Sequence, residues 1–244
     1  MTIDSLRDAL ESVERERKRL EVYTAEPAVA AELERQFTTR NVTVDHRQAE
    51  AFDDGFVAIR DPDNGFRGTL GLDQFDAILS PETHLPWAVE STDVDTRELF
   101  DFLENTLFAS YDRRQMLAAS REIEERAWRI GEGTLYAGFE REAALVDQLE
   151  VYDRLASHEM LTAIAFVDDT WGRSATDLTV VPDSDEIGAF WFVVFDGAGS
   201  DLQKCALVAE ERRAGQYYGF WTYDPEFVDE LVDYLERTYD PQNA

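Results

Sequence analysis

DRRQMLAASREIEERAWRIGEGTLYAGF, residues 112–139, is the stretch whose reading decides the fold. Asp112 with Gln115 three residues on resembles a capping box with aspartate as the cap. Met116, Ile123, Ala127 and Ile130 then recur on one face of a 3.6-residue period, so the segment is a helix with one buried side. Gly131 or Gly133 ends it, because glycine takes the left-handed conformation that closes a helix without steric cost. Thr134–Phe139 follows as a strand.

Further along the chain, Leu145, Leu149, Tyr152 and Leu155 predict another helix. Leu161–Val167, Leu178–Val181, Phe190–Asp196, Cys205–Glu210 and Tyr217–Tyr223 read as strands. Asp224-Pro225 then opens a final helix whose apolar face is Phe227, Val228, Leu231, Tyr234 and Leu235. Towards the N-terminus, Ser5–Leu20 reads as a helix. Leu6, Leu10, Val13 and Leu20 form a heptad seam that Arg17 interrupts, so it is either a dimer helix or a helix packed on its own domain. Leu20–Thr24, Asn41–Asp45, Phe56–Arg60 and Phe66–Leu70 read as strands. A helix begins at Pro27 with Ala28, Leu33 and Phe37 inward, and Asp61–Gly65 is a turn. Leu72–Leu79 marks a short helix, Leu99–Leu103 belongs to another, and Thr106–Ala109 is a strand. Ser80–Asp95, with two prolines and no period, reads as a linker.

Strands alternating with helices favour parallel pairing, and the closely spaced later strands favour antiparallel additions to the same sheet. The expected fold is therefore α/β, a mixed sheet flanked by helices. Val22–Thr24 and Leu107–Ala109, each before a helix and a strand, leave two related α/β halves open. The expected division is an N-terminal α/β segment at 1–90 and a second domain at 96–240.

Asp and Glu number 52 against 23 Lys and Arg, a net charge of −29. Only Lys18 and Lys204 are lysines. Disordered acidic chains lack aromatic residues, whereas 12% of this chain is aromatic and 44% hydrophobic. The reading is a folded protein with a carboxylate-covered surface, a composition resembling proteins of extreme halophiles. Molar salt screens such charges within ~3 Å. The same surface argues against direct nucleic-acid binding, which needs basic patches. A single cysteine, Cys205, excludes an internal disulfide and fits a reducing, cytoplasmic compartment. No apolar run reaches the ~18 residues of a membrane span, so no membrane insertion is expected, nor is a signal peptide.

Catalytic signals are weak. His46, His84 and His158 are far apart and form no spaced metal pair. There is no phosphate loop and no nucleophile elbow. Carboxylate pairs such as Asp53-Asp54 and Asp168-Asp169 carry little information in so acidic a chain.

Four blocks are more specific: Tyr111–Glu124, Gly133–Phe139, Phe190–Asp196, and Asp201–Glu211 with Tyr217–Pro225. In this order they resemble the DICT domain, named for its occurrence in diguanylate cyclases and two-component systems. The resemblance to the general family runs from about Leu103 to Tyr223, and the whole chain resembles the free-standing form of halophilic archaea. It implies an α/β sensory module, often tied to histidine kinases or cyclic-dinucleotide enzymes, with a suggested role in light responses. It implies no catalytic residues and names no cofactor. The expected function is a sensory input domain acting without catalysis on a separate signalling partner, a histidine kinase or other regulator. A homodimer is a further option. The alternatives are a small-molecule or nucleotide-binding protein or enzyme using the Lys204 region, and a ligand-free interaction domain.

The residues of the blocks suggest where a ligand or partner would bind. Lys204 breaks the chain's preference for arginine, and a compact ammonium suits a carboxylate or phosphate; it equally suits a lysine guarding a strand end. Cys205 opens an apolar strand, either as a small hydrophobe or as a redox switch. Glu210 ends that strand, and Phe220, Trp221 and Tyr223 end its neighbour beside a helix N-terminus, where α/β folds gather ligands. Tyr136, Phe139 and Trp191, with Tyr218 and Trp221, either line a pocket for a planar ligand or fill the core.

Overall fold

The helix predicted from residues 112–130 is held at both ends by the chemistry its sequence announces. Asp112 Oδ1 accepts from the Gln115 amide at 2.9 Å, and Gln115 Oε1 accepts from the Asp112 amide at 3.0 Å. Gly131 closes the helix at φ 72°, its amide donating to the Ala127 carbonyl at 2.8 Å. The structure is a computed structural model and describes residues 3–38, 41–49, 55–73, 107–168, 170–172, 177–182 and 186–241.

In chain order the elements are α1 (Leu6–Arg15), β1 (Lys18–Thr24), α2 (Pro27–Gln36), β2 (Val42–Gln48), β3 (Phe56–Arg60), β4 (Phe66–Gly71), β5 (Leu107–Asp112), α3 (Arg113–Ile130), β6 (Glu132–Phe139), α4 (Glu142–Val146), α5 (Leu149–Ala156), β7 (Met160–Val167), β8 (Thr179–Val181), β9 (Phe190–Phe195), β10 (Cys205–Arg213), β11 (Gln216–Thr222) and α6 (Pro225–Tyr239). The chain divides into two compact units, one of Val13–Glu104 and one of Met1–Ser12 with Asn105–Ala244. The predicted helices at Leu72–Leu79 and Leu99–Leu103 fall largely or wholly outside the described residues, as does the linker Ser80–Asp95.

The fold is α/β as expected: the strands form two mixed sheets, and the closely spaced later strands do add to one of them. A four-stranded sheet has the order β2-β1-β3-β4, with β1 and β2 parallel and the other pairs antiparallel. It closes its own core: Leu20, Val22, Val57, Ile59 and Leu70 meet Ala30 and Leu33 of α2 and Phe37 just after it. With that face covered, these strands have no need of the second sheet.

The second sheet has seven strands in the order β5-β11-β10-β9-β6-β7-β8. The pairs β6–β7 and β7–β8 are parallel, and the others are antiparallel. The pleat sends alternate side chains to opposite faces. Leu135, Ala137, Val193, Phe195, Cys205 and Leu207 point to one face, where they meet Met116, Ile123 and Ala127 of α3 and Tyr152 and Leu155 of α5. Their neighbours Tyr136, Phe192, Val194, Ala206, Val208 and Phe220 are buried on the other face. There α6 covers them, with Tyr239 5.4 Å from Phe166 and Phe227 5.4 Å from Phe220, centroid to centroid. Gly138 stands in register with Phe192, and a Cβ at 138 would come within 2.1 Å of that ring.

The heptad seam is not one helix. α1 stops at Arg15, and Leu20 is buried on β1. Residues 15–19 read Arg-Glu-Arg-Lys-Arg and offer no apolar side chain for a helical face to bury, so pairing with β2 and β3 takes over. The predicted helix through Leu145 and Leu155 is likewise two short ones, α4 and α5, broken at Asp147-Gln148.

Candidate functional site

The nine side chains that the sequence singles out do not converge. Period-two alternation separates them. Tyr136, Glu210 and Phe220 lie on the α6 face; Phe139, Trp191, Cys205 and Trp221 lie on the α3 face. Lys204 precedes β10 and Tyr223 follows β11.

Each has a local role. The Lys204 ammonium donates to Asp201 Oδ1 at 2.8 Å and Asp229 Oδ2 at 2.7 Å, so it fastens the loop before β10 to α6. Those hydrogen bonds raise its pKa. Cys205 is fully buried, and burial pushes its thiol up to about 12. Both work against the thiolate form on which nucleophilic and redox chemistry depend. Burial would raise Glu210, but the Arg7 fork, at 2.8 and 3.2 Å, and Arg212 outweigh it and hold the carboxylate down. The Tyr136 hydroxyl donates to Glu236 at 2.7 Å. Phe220 is core. Tyr223 is partly exposed, donates to Glu122 and carries Arg126 5.0 Å above its ring. Trp221 packs against the α3 core, its Nε1 buried without a hydrogen-bond partner.

Phe139 and Trp191 do meet. They line a cleft at the carboxyl end of β6, where α3 begins, together with Arg113, Glu140, Gln148 and Tyr217. Trp191 and Tyr217 stand 5.4 Å apart with planes at 85°, so their rings form a corner. Trp191 is fixed there because its Nε1 donates to Ser120 Oγ at 2.9 Å. The Arg113 guanidinium lies 5.7 Å from the Trp191 ring centre. The free space is about 30 Å³, room for one or two waters. Glu140 contributes a buried Oε1 that accepts no hydrogen bond. Burial and the Glu211 charge raise its pKa, against the opposing pull of Arg141, Arg113 and the Tyr217 hydroxyl.

A wider cleft of about 370 Å³ lies between α3 and α5, bordered by Arg121, Glu125, Trp128, Val151 and Arg154. A buried polar network separates the two clefts. The Tyr152 hydroxyl donates to Glu124 Oε1 at 2.7 Å, and Arg121 bonds both Glu124 and Gln148. Gln148 lines the first cleft and Glu124 the second, so the network joins them. Sequence reading missed this network. Its signal was Glu124, a charged residue on the stripe that buries Met116, Ser120, Ile123 and Ala127. Among the described residues no three His, Cys, Asp or Glu side chains gather to hold a metal ion. No described helix is long and apolar enough to cross a membrane.

Residues 98–212 match the DICT family. Its description is "Sensory domain in DIguanylate Cyclases and Two-component system". The DICT match takes in β5 to β10 with α3, α4 and α5, and therefore every residue of both clefts except Tyr217. It leaves out β11, α6 and the four-stranded unit before residue 98. No curated protein matches the chain. A crystal structure of polyphosphate kinase from Porphyromonas gingivalis aligns with a TM-score of 0.36 and 11% identity, over 95% of this chain and 47% of that one. The chain thus spans about half the length of that kinase, and a likeness of this degree establishes no shared fold.

Proposed function

We propose that this chain is a sensory input module that acts without catalysis and passes a conformational change to a separate signalling protein, a histidine kinase or another regulator. The observation that carries the reading is the DICT match over 98–212, which takes in the network and both clefts but for Tyr217. The side chains best placed by type for covalent chemistry support a non-catalytic role. Cys205 is protonated and buried, and Lys204 is held by two carboxylates. The acidic surface supports a cytoplasmic setting of high salt, and the signal there passes by protein contact.

Crosslinking in cells grown in high salt, followed by recovery of the chain, tests the reading. The expected result is enrichment of a histidine kinase, a cyclic-dinucleotide enzyme or a response regulator over a control of equal charge. Recovery of the control's background alone, or turnover of a nucleotide by the purified chain, would overturn it.

A further inference from the structure

The geometry points to the cleft at Phe139, Trp191 and Tyr217 as a binding site for a small organic cation, a methylated ammonium, with Glu140 as its counter-charge. Three observations lead there. The first is the corner of Trp191 and Tyr217, perpendicular at 5.4 Å, with Phe139 in the same lining. Aromatic faces are electron-rich, and such walls attract cations. The second is Glu140, whose buried Oε1 accepts no hydrogen bond. Arg141, Arg113 and the Tyr217 hydroxyl act on this carboxyl, yet its buried Oε1 has no donor, and a cation beside that oxygen would offset the cost of burying it. The third is Arg113. It reaches from the first residue of α3 to place a guanidinium 5.7 Å from the Trp191 ring, so the chain's own cation stands at the mouth.

Other ligand classes fit less well. An anion would meet the Glu140 carboxylate and the faces of the rings. A neutral apolar group would fill the corner and leave Glu140 Oε1 without a partner. A hard metal ion requires six or more oxygen ligands, whereas this lining supplies one carboxylate, from Glu140. A methylated ammonium presents positive charge through an apolar shell, which is what three rings and one carboxylate complement. The space of about 30 Å³ is too small for it while Arg113 is in place. Binding requires Arg113, an exposed side chain, to turn out to solvent, so ligand and Arg113 exclude each other. Exchange of one for the other at the start of α3 is the change that Gln148 and Arg121 are placed to pass to α5.

This ligand deepens the sensory reading and rests on it only for what binding means. Binding is measured without any signalling partner, so either reading fails without the other. The probe is choline, titrated calorimetrically into the full chain, with 3,3-dimethylbutan-1-ol as its neutral isostere. Choline is expected to bind saturably, and the alcohol at least about tenfold more weakly. Glu140→Gln should weaken choline by about tenfold. Arg113→Ala should tighten it several-fold by removing the competing cation. Melting curves of both variants show whether the fold is kept. Equal binding of choline and the alcohol, or no binding of choline to either the wild type or Arg113→Ala, would overturn the assignment.

Discussion

Glu124 and Tyr152 show how a single side chain can be unfavourable by type and required by place. A carboxylate on the buried stripe of α3 is costly unless donors surround it. Tyr152 supplies one from α5 at 2.7 Å, and Arg121 supplies another. Burial first, and the Glu124 charge second, push the Tyr152 hydroxyl well above its ordinary range, so it stays a donor at any physiological pH. Tyr152→Phe is expected to lower stability by ~1–3 kcal/mol in denaturant unfolding, the cost of stranding a buried acceptor. A loss below ~0.5 kcal/mol would mean that Glu124 is rehydrated and the network is dispensable. Glu21, on β1, makes the pH case. Hydrogen bonds from Arg60 at 2.6 Å and Arg47 at 3.2 Å hold its pKa below the ordinary carboxylate value, in spite of burial. A depressed carboxylate stabilises the fold above its unfolded pKa, and that contribution is lost as pH falls through the folded pKa. The melting temperature of the wild type should therefore exceed that of Glu21→Gln at pH 7, and the gap should close below about pH 4. A gap independent of pH would show that the effect is steric.

Elements in this protein are tied by side chains from far along the chain. The local cap, Ser5 Oγ, accepts from the Asp8 amide at 2.9 Å and not from the two amides before it. Instead Glu186, which precedes β9, accepts from the Leu6 and Arg7 amides, each at 3.1 Å, and also from the Tyr234 hydroxyl of α6. A carboxylate at a helix N-terminus satisfies orphan donors and complements the helix dipole. Arg237 adds a bond to the Ile3 carbonyl at 2.9 Å. Glu186→Ala is expected to cost ~1–2 kcal/mol and to speed hydrogen exchange at the first turn of α1, while the amides of β6 and β9 keep their protection. Equal acceleration across the sheet would show that α1 and the sheet open together. None of this was legible locally, because the partners lie 180 residues apart. By contrast, the capping box of α3 and the aspartate cap of α6 were readable, since each bonds within three residues.

For the whole molecule, charge is the governing quantity. A net charge of −29 on 244 residues repels itself at low ionic strength and is screened at high salt. Circular dichroism during dialysis from molar potassium chloride to low salt should show loss of structure or a large fall in melting temperature. Full retention of both would show that the core outweighs the surface repulsion without help from salt. Surface ion pairs such as Arg17–Glu14, Arg19–Asp45 and Arg35–Glu32 reduce that repulsion only locally, because exposed arginine–carboxylate contacts are of small individual worth.

The sequence by itself determined what local periodicity and short-range capping encode. It opened α3 at Asp112 and closed it at Gly131 or Gly133, assigned most of the strands in order, and marked Phe139 and Trp191 as aromatic residues of neighbouring strands. Period and capping depend on neighbours within a turn or a pleat, so one chain segment is enough to read them. Tertiary structure alone decided which strands share a sheet and which face each side chain takes. It separated seven of the nine candidate residues across two faces, because a one-residue step along a strand reverses direction, and left Lys204 and Tyr223 just beyond strand ends. It also gave Lys204 two aspartates and Glu210 an arginine, left Glu140 Oε1 without a donor, and joined Glu124 to Tyr152. Those outcomes depend on pairings between distant segments, whose energies appear only when the chain has closed on itself.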